Sequence, residues 1–177
     1  MKMGTRSLLF GAHQVLIHPC FVAASWIELY GWPWDPRYWL SFLVHDWGYW
    51  GKAEMDSPDG EKHPILGAVL LNMFGGEKWL RFCLYHSRFL ARYMKVSPSR
   101  LCLADKLAIA NTPVWLYLFL VRLSGEAKEY MALAKSGKYD QQGLDLSSPK
   151  TWFANVQANM RQWVKDANTP EIRRSRP

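Results

Sequence analysis

The chain has 177 residues, of which 49% are hydrophobic and 21% are charged, and this composition excludes a generally disordered protein. The length suffices for one domain of ordinary size with a core of its own. A net charge of +7 suits phosphate-bearing ligands, but no basic stripe or nucleic-acid motif is present, so nucleic acid is not expected as the primary ligand. Ten tryptophans are unusual, and five of them lie between residues 32 and 50.

The cysteines and the apolar segments indicate a protein of the cytoplasm. The three cysteines lie in apolar runs and form no CxxC motif, which is typical of a reducing compartment. The first apolar run ends at residues 13–14, too early for a signal peptide. The longest apolar stretch, 107–121, is interrupted by a Thr-Pro pair and is shorter than the ~20 residues of a spanning helix, so no membrane partner is expected.

Prolines that follow a capping residue, and glycines that end apolar runs, predict a succession of helices. In chain order these cover residues 19–30, 36–47, 64–74, 77–94, 98–111, 113–123, 126–135 and 149–167, with a further helix compatible with 6–17. Segments 52–62 and 136–148 are expected to be polar loops, and no segment has the period-two alternation of a strand. The prediction is an all-α, single-domain helical bundle over 1–168, followed by a flexible basic tail, 169–177.

A carboxylate interrupts the apolar face of the helix predicted at 36–47. Trp39, Phe42 and Leu43 form a buried stripe by the i, i+3, i+4 rule, and the next position of that stripe is Asp46. A buried carboxylate costs several kcal/mol unless it is paired or bound to a metal. His45 stands beside it in the sequence.

Other helices repeat this anomaly. His86 falls on the apolar stripe of its predicted helix, Asp105 shares a face with apolar residues, and His18 and His63 each directly precede a proline at the start of a helix. Two carboxylates and four imidazoles are therefore expected to point inward.

A metal explains these inward groups best. A single buried histidine is usually a hydrogen-bonded core residue, but two buried carboxylates need a cation. Lys106 and Arg88 are near in sequence, yet we expect them to project from other helix faces. Imidazole and carboxylate suit one or two divalent transition metal ions, namely Mn, Fe, Co, Ni or Zn, and Mg is also compatible.

The order H…HD…H…H…D resembles the HD superfamily of metal-dependent phosphohydrolases. It is carried by the segments FLVHDWGYWGK, EKHPILGAVLL, LYHSRFLARYM and SRLCLADKLA. The last two segments resemble the HD-type diadenosine tetraphosphate hydrolases and the HD-type cyclic-dinucleotide phosphodiesterases. The resemblance spans roughly residues 12 to 111 and implies a helical core of the HD-domain type with the site at its centre.

The resemblance also implies a ligand set. In that family the positions matching His18, His45, Asp46 and Asp105 hold one metal. The positions matching His63 and His86 complete a second site, with Asp46 bridging the two. Asp46, His63 and His86 are accordingly expected to be catalytic.

The expected substrate-binding residues follow from their closeness in sequence to these ligands. Lys52, Lys62 and Arg88 are candidate phosphate clamps, and Tyr49 and Trp50 are further candidates beside the substrate. Many relatives have a lysine three residues after the aspartate of the doublet, where this chain has Tyr49. Trp50 could stack on a base, a contact worth ~1–3 kcal/mol.

We therefore expect a phosphohydrolase that cleaves a phosphoester or phosphoanhydride in a small-molecule substrate, most simply a nucleotide, by attack of a metal-activated water. Two alternatives remain open. HD-fold di-iron oxygenases, such as myo-inositol oxygenase, carry the same ligand set. A non-catalytic nucleotide-binding module would keep the fold.

Other residues are assigned structural roles. His13 could reach the rim of the site, but a surface or core role is expected. Trp39 is expected to be a core or interface anchor, and Trp47 is expected to pack between helices. An apolar stripe containing Trp152 and Trp163 on the last helix predicts either packing onto the body or the surface of a homodimer.

Overall fold

The computed structural model describes residues 1–135 and 145–168, and within these ranges the chain is helical, with no strand. This confirms the predicted all-α helical bundle. The predicted tail, 169–177, and most of the predicted loop at 136–148 lie outside the described residues. The helices, in chain order, are α1 (Met3–Phe10), α2 (Ile17–Tyr30), α3 (Pro36–Val44), α4 (Pro64–Gly75), α5 (Glu77–Leu84), α6 (Arg88–Tyr93), α7 (Arg100–Asn111), α8 (Val114–Ser124), α9 (Glu126–Lys135) and α10 (Pro149–Ala167).

Side-chain caps and prolines set where several helices begin. The carboxylate of Asp35 accepts the N–H of Arg37 at 2.9 Å, and the hydroxyl of Ser148 accepts the N–H of Thr151 at 3.1 Å. Each cap stands directly before a proline in the first helical position, which has no N–H to satisfy. These are the signals that made the helix starts predictable.

Two predicted helices are shorter than expected, and both end beside a site residue. Helix α3 ends at Val44, and a 3-10 helix, Trp47–Tyr49, follows it. The predicted helix 77–94 is broken into α5 and α6, because the hydroxyl of Ser87 accepts the N–H of Leu90 at 3.3 Å and starts a new helix. The first helix also lies at 3–10 and not at 6–17. Asp46 and His86 therefore stand in connections between helices.

The main core lies among α2, α3, α4, α5 and α7, and an aromatic cluster occupies its centre. The ring of Trp26 lies 4.6 Å from Tyr30 and from Tyr38, 5.6 Å from Phe42 and 5.7 Å from Phe82. Aromatic rings at these separations attract one another, and this attraction adds to the free energy gained by burying their surface. This cluster fixes α3 and α5 relative to α2 and so positions the connections that follow them.

The last helix, α10, packs along α7 and α8. Trp152 is buried beside Phe153, whose ring stacks on Tyr117 at 3.6 Å. The apolar stripe of α10 is thus used for packing onto the body, and a homodimer stays a prediction. No single helix in the described parts of the chain is long and apolar enough to cross a membrane; α7 and α8 together meet that test by length and composition, but they bend by 99° at their junction.

Several tryptophans lie at the surface. Trp39 is 39% exposed, contrary to the buried stripe expected for its helix, and its indole N–H donates to the carbonyl of Pro33 at 3.0 Å. Its ring packs on that of Trp32 at 5.3 Å, so the two cover the turn that leads into α3. Trp47 and Trp50 are 37% and 63% exposed.

Candidate metal centre

The structure brings two aspartates and four histidines together from five parts of the chain. Each of these side chains belongs to a residue that is between 1% and 6% exposed. They come from the start of α2 (His18), the end of α3 (His45 and Asp46), the start of α4 (His63), the break between α5 and α6 (His86) and the middle of α7 (Asp105).

The first group of ligand atoms surrounds one oxygen of Asp46. Oδ2 of Asp46 lies 3.5 Å from Nε2 of His18 and 3.2 Å from Nε2 of His45. Oδ1 of Asp105 lies 3.0 Å from Nε2 of His18 and 4.0 Å from Nε2 of His45. His18, His45 and Asp46 present atoms close enough to bind one metal ion.

The second group surrounds the other oxygen of the same carboxylate. Oδ1 of Asp46 lies 3.4 Å from Nε2 of His63 and 3.3 Å from Nε2 of His86. The two Nε2 atoms are 3.1 Å apart. Asp46, His63 and His86 could hold a metal ion of their own, so one carboxylate is shared between two groups.

The backbone fixes the proton positions of three of these imidazoles. The Nδ1 atoms of His45, His63 and His86 lie 2.9, 2.9 and 2.6 Å from the carbonyl oxygen three residues earlier in the chain. A carbonyl only accepts, so each Nδ1 carries a proton, and each imidazole in its neutral form directs an Nε2 lone pair into the cluster. This hydrogen bond is the usual outer contact of a metal-binding histidine.

Because these Nε2 lone pairs face other acceptor atoms, a positive charge is missing between them. The Nε2 atoms of His63 and His86 face each other as two acceptors, and Nε2 of His45 faces an oxygen of Asp46 in the same way. Among the described residues, Nε2 of His45 and Oδ2 of Asp46 are buried atoms with no hydrogen-bond partner. Burial, followed by repulsion from the neighbouring His86, holds the pKa of His63 well below its usual 6.5 and favours its neutral form, whereas at His45 burial is outweighed by the charge of Asp46, which raises the pKa. The donor set fits a divalent metal ion.

Lys106 pairs with Asp105, contrary to the expectation from the sequence. Its Nζ lies 2.8 Å from Oδ2 of Asp105, because the four-carbon stem curls back to the preceding residue. Burial opposes ionisation of Asp105, but the charges of Lys106 and His18 overcome this effect and hold its pKa well below the usual value. Reasoning from the sequence missed this pairing. The feature that could have indicated it is the position of Lys106 directly after Asp105.

The candidate phosphate clamps differ in their surroundings. Nζ of Lys52 binds Oδ1 of Asp59 at 2.7 Å at the surface, and Lys62 is exposed at the end of a 3-10 helix, Gly60–Lys62. The guanidinium of Arg88 lies over the ring of Trp163 at 5.2 Å. The charge of Arg88 also acts on Lys106, the partner of Asp105.

The two aromatic candidates after the doublet also have different positions. The ring of Tyr49 is buried and stacks on that of His63, with centroids 3.9 Å apart and planes 12° from parallel. Trp50, at 63% exposure, projects outward. The ring of Tyr49 therefore packs against His63, one of the candidate metal ligands, whereas the ring of Trp50 is accessible to a molecule in solvent.

His13 is a second residue that the sequence pattern did not place. Its ring lies 5.7 Å from that of His18 and 4.9 Å from that of Tyr49, so all five histidines of the chain meet in this region. The sequence feature that could have indicated this position is the spacing of His13, five residues before His18.

The comparisons with known proteins add no relative. No protein-family model matches the chain, and neither the curated proteins nor the solved structures include a match. What the structure itself establishes is a helical protein with a buried His/Asp cluster that could bind a metal, which is compatible with a metal-dependent enzyme and with an HD-like site.

Proposed function

We propose that this protein is a metal-dependent phosphohydrolase of the HD type that cleaves a nucleotide phosphoester or phosphoanhydride. The observation that carries the proposal is the shared carboxylate of Asp46, with two imidazole nitrogens within 3.5 Å of each of its oxygens. The order of these residues in the sequence, which resembles the HD superfamily, supports the same assignment.

The residues divide into ligands and substrate contacts. His18, His45, Asp46 and Asp105 would hold one divalent ion, and His63, His86 and the other oxygen of Asp46 a second. Such ions, when bound, lower the pKa of a coordinated water and stabilise charge on the entering and leaving oxygens. The backbone carbonyls that accept from Nδ1 keep the imidazoles oriented for this task.

Positive side chains near the cluster support a phosphorylated substrate. Lys106, bound to Asp105, and Arg88, stacked on Trp163, would offset the charge of a bound phosphate. Trp50 is exposed enough to stack on a base. The exposed ring of Trp50 is the reason to favour a nucleotide over a phosphate ester without an aromatic group.

The experiment that tests the proposal is a panel of nucleotides with Mn, Co, Ni, Mg or Fe, read by phosphate release. The Asp46→Asn protein is the inactive reference, and Asp59→Asn, at an exposed carboxylate, is the matched control. We expect metal-dependent release by the wild type and by Asp59→Asn only. Release that is absent in every combination, or unchanged in Asp46→Asn, would contradict the proposal.

The same panel under anaerobic conditions distinguishes a hydrolase from a di-iron oxygenase with this ligand set. A hydrolase loses nothing without oxygen. Activity that required oxygen would assign the site to the oxygenase class instead.

A further inference from the structure

His13 completes a closed circuit of aromatic rings around Asp46. The four histidines that contact Asp46 account for four rings, and His13 and Tyr49 join the two ends of the series. The neighbouring ring centroids, in order around the circuit, are His13–His18 at 5.7 Å, His18–His45 at 5.3 Å, His45–His86 at 4.9 Å, His86–His63 at 5.0 Å, His63–Tyr49 at 3.9 Å and Tyr49–His13 at 4.9 Å.

His13 differs from the other four histidines in exposure. Its side chain is 17% exposed, whereas those of the four histidines that contact Asp46 are between 1% and 8% exposed. It therefore lies at the edge of the centre that solvent reaches.

A buried carboxylate holds His13 in place. Glu126 is fully buried, and Oε1 accepts from Ser7 at 2.7 Å and from Tyr130 at 3.0 Å. Oε2 accepts from the backbone N–H of Ala12 at 2.9 Å and from Ser124 at 2.5 Å. These four donors join α1, the segment after it and the α8–α9 junction, so the carboxylate is a rigid anchor.

The anchor determines which edge of His13 is free. Ser7 has a single hydroxyl proton, which it donates to Glu126, so its oxygen accepts from Nδ1–H of His13 at 2.9 Å. Nδ1 of the imidazole is thereby occupied. Nε2, on the other edge of the same ring, has no hydrogen-bond partner among the described residues.

We propose that His13, as the imidazolium whose Nδ1 lies 3.8 Å from Oε1 of Glu126, is a substrate-contacting residue whose Nε2–H donates a hydrogen bond to the phosphoryl group, and that Ser7 and Glu126 are its positioning residues. This inference rests on the proposed function, because it assigns a role toward a phosphorylated substrate. It gives a use to the one histidine outside the H…HD…H…H…D pattern. It also explains why a carboxylate with four donors is buried next to the centre.

The test measures phosphate binding and metal binding separately. The probe is inorganic phosphate, titrated into the Mn²⁺-loaded full chain and followed by ³¹P line broadening. His13→Ala is the main variant, and Gln14→Ala is the matched control, since Gln14 lies in the same segment and its side chain accepts from the N–H groups of residues 16 and 17 instead of contacting the cluster. His13→Gln tests rescue by a side chain that can again form a hydrogen bond.

We expect His13→Ala to bind Mn²⁺ as the wild type does and to bind phosphate about ten- to a hundredfold more weakly, the usual cost of one hydrogen bond to a charged group. His13→Gln recovers part of that loss, Ser7→Ala shows a smaller loss, and Gln14→Ala binds phosphate normally. Equal phosphate binding by His13→Ala and wild type would overturn the inference alone. An equal loss in Gln14→Ala would reduce His13 to a structural role, whereas a wild type that takes up no metal or broadens no phosphate signal would overturn the proposed function too.

Discussion

Replacing Asp46 by Asn removes the charge that both groups of histidines share while keeping the shape of the side chain. Four imidazole nitrogens lie between 3.2 and 3.5 Å from the two oxygens of this carboxylate. Each candidate metal group therefore loses its anionic ligand from Asp46 in a single substitution. The assay is thermal unfolding with and without added Mn²⁺, each variant being compared with its own metal-free form.

The magnitude follows from linkage between binding and folding. A metal present at a hundred times its Kd stabilises the folded protein by about 2.7 kcal/mol, and for a chain of this size each kcal/mol raises Tm by about 2–4 °C. We expect a rise of about 5–10 °C in the wild type. If Asp46→Asn weakens binding about a hundredfold, the same metal concentration contributes only about 0.4 kcal/mol, or about 1 °C.

Asp59→Asn is the control for this experiment, since Asp59 is 66% exposed on its side chain and binds Lys52 outside the cluster. It should show the full metal-dependent rise. An Asp46→Asn protein with the same rise as the wild type would refute the reasoning, because the metal would then bind elsewhere.

Three further predictions test the surroundings of the centre. Burial raises the pKa of Glu126, but its interaction with His13, followed by the hydrogen bonds from Ser124 and Ser7, overcomes this and places the pKa below its usual 4.5. Its ionisation therefore stabilises the fold above that pH, and the stabilisation is lost as the pH falls through the lowered pKa. Glu126→Gln should lower the free energy of unfolding by on the order of 3 kcal/mol at pH 7, a deficit that shrinks in acid in a urea titration; a deficit independent of pH would contradict the assignment. Phe42→Ala, at a side chain 1% exposed, should cost about 3–5 kcal/mol in the same titration, while Trp34→Ala, at 87% exposure, should cost less than about 1 kcal/mol; equal costs would contradict the assigned core. Trp50→Ala should spare metal binding and raise KM for a nucleotide by about five- to a hundredfold, and an unchanged KM would show that this ring does not cover the substrate.

Local signals made the helices and the ligand cluster predictable. Asp35 and Ser148, each directly before a proline, predict the starts of α3 and α10 at the residues where the structure places them. Asp46 and His86 stood out because polar groups on apolar stripes have to be satisfied inside the protein. That they converge with the other ligands on one centre was implied by the resemblance to the HD superfamily, because helix periodicity alone does not bring separate helices together.

The remaining features depend on contacts between distant parts of the chain. The break at Ser87 was not anticipated, since the apolar period of α5 continues past it in the sequence. The pairing of Lys106 with Asp105 depends on a flexible stem, which helix periodicity does not describe. The tether of His13 joins Ser7 to Glu126, 119 residues away, and sequence spacing carries no information about such a contact.

The most direct test of the central claim is anomalous diffraction from crystals of the wild-type protein grown with Mn²⁺. We predict a peak at about 2.0–2.3 Å from an oxygen of Asp46 and from Nε2 of His18 and His45, or from Nε2 of His63 and His86, or peaks in both groups. Crystals with Mn²⁺ peaks at the surface and none beside Asp46 would contradict the claim that this cluster is a metal centre.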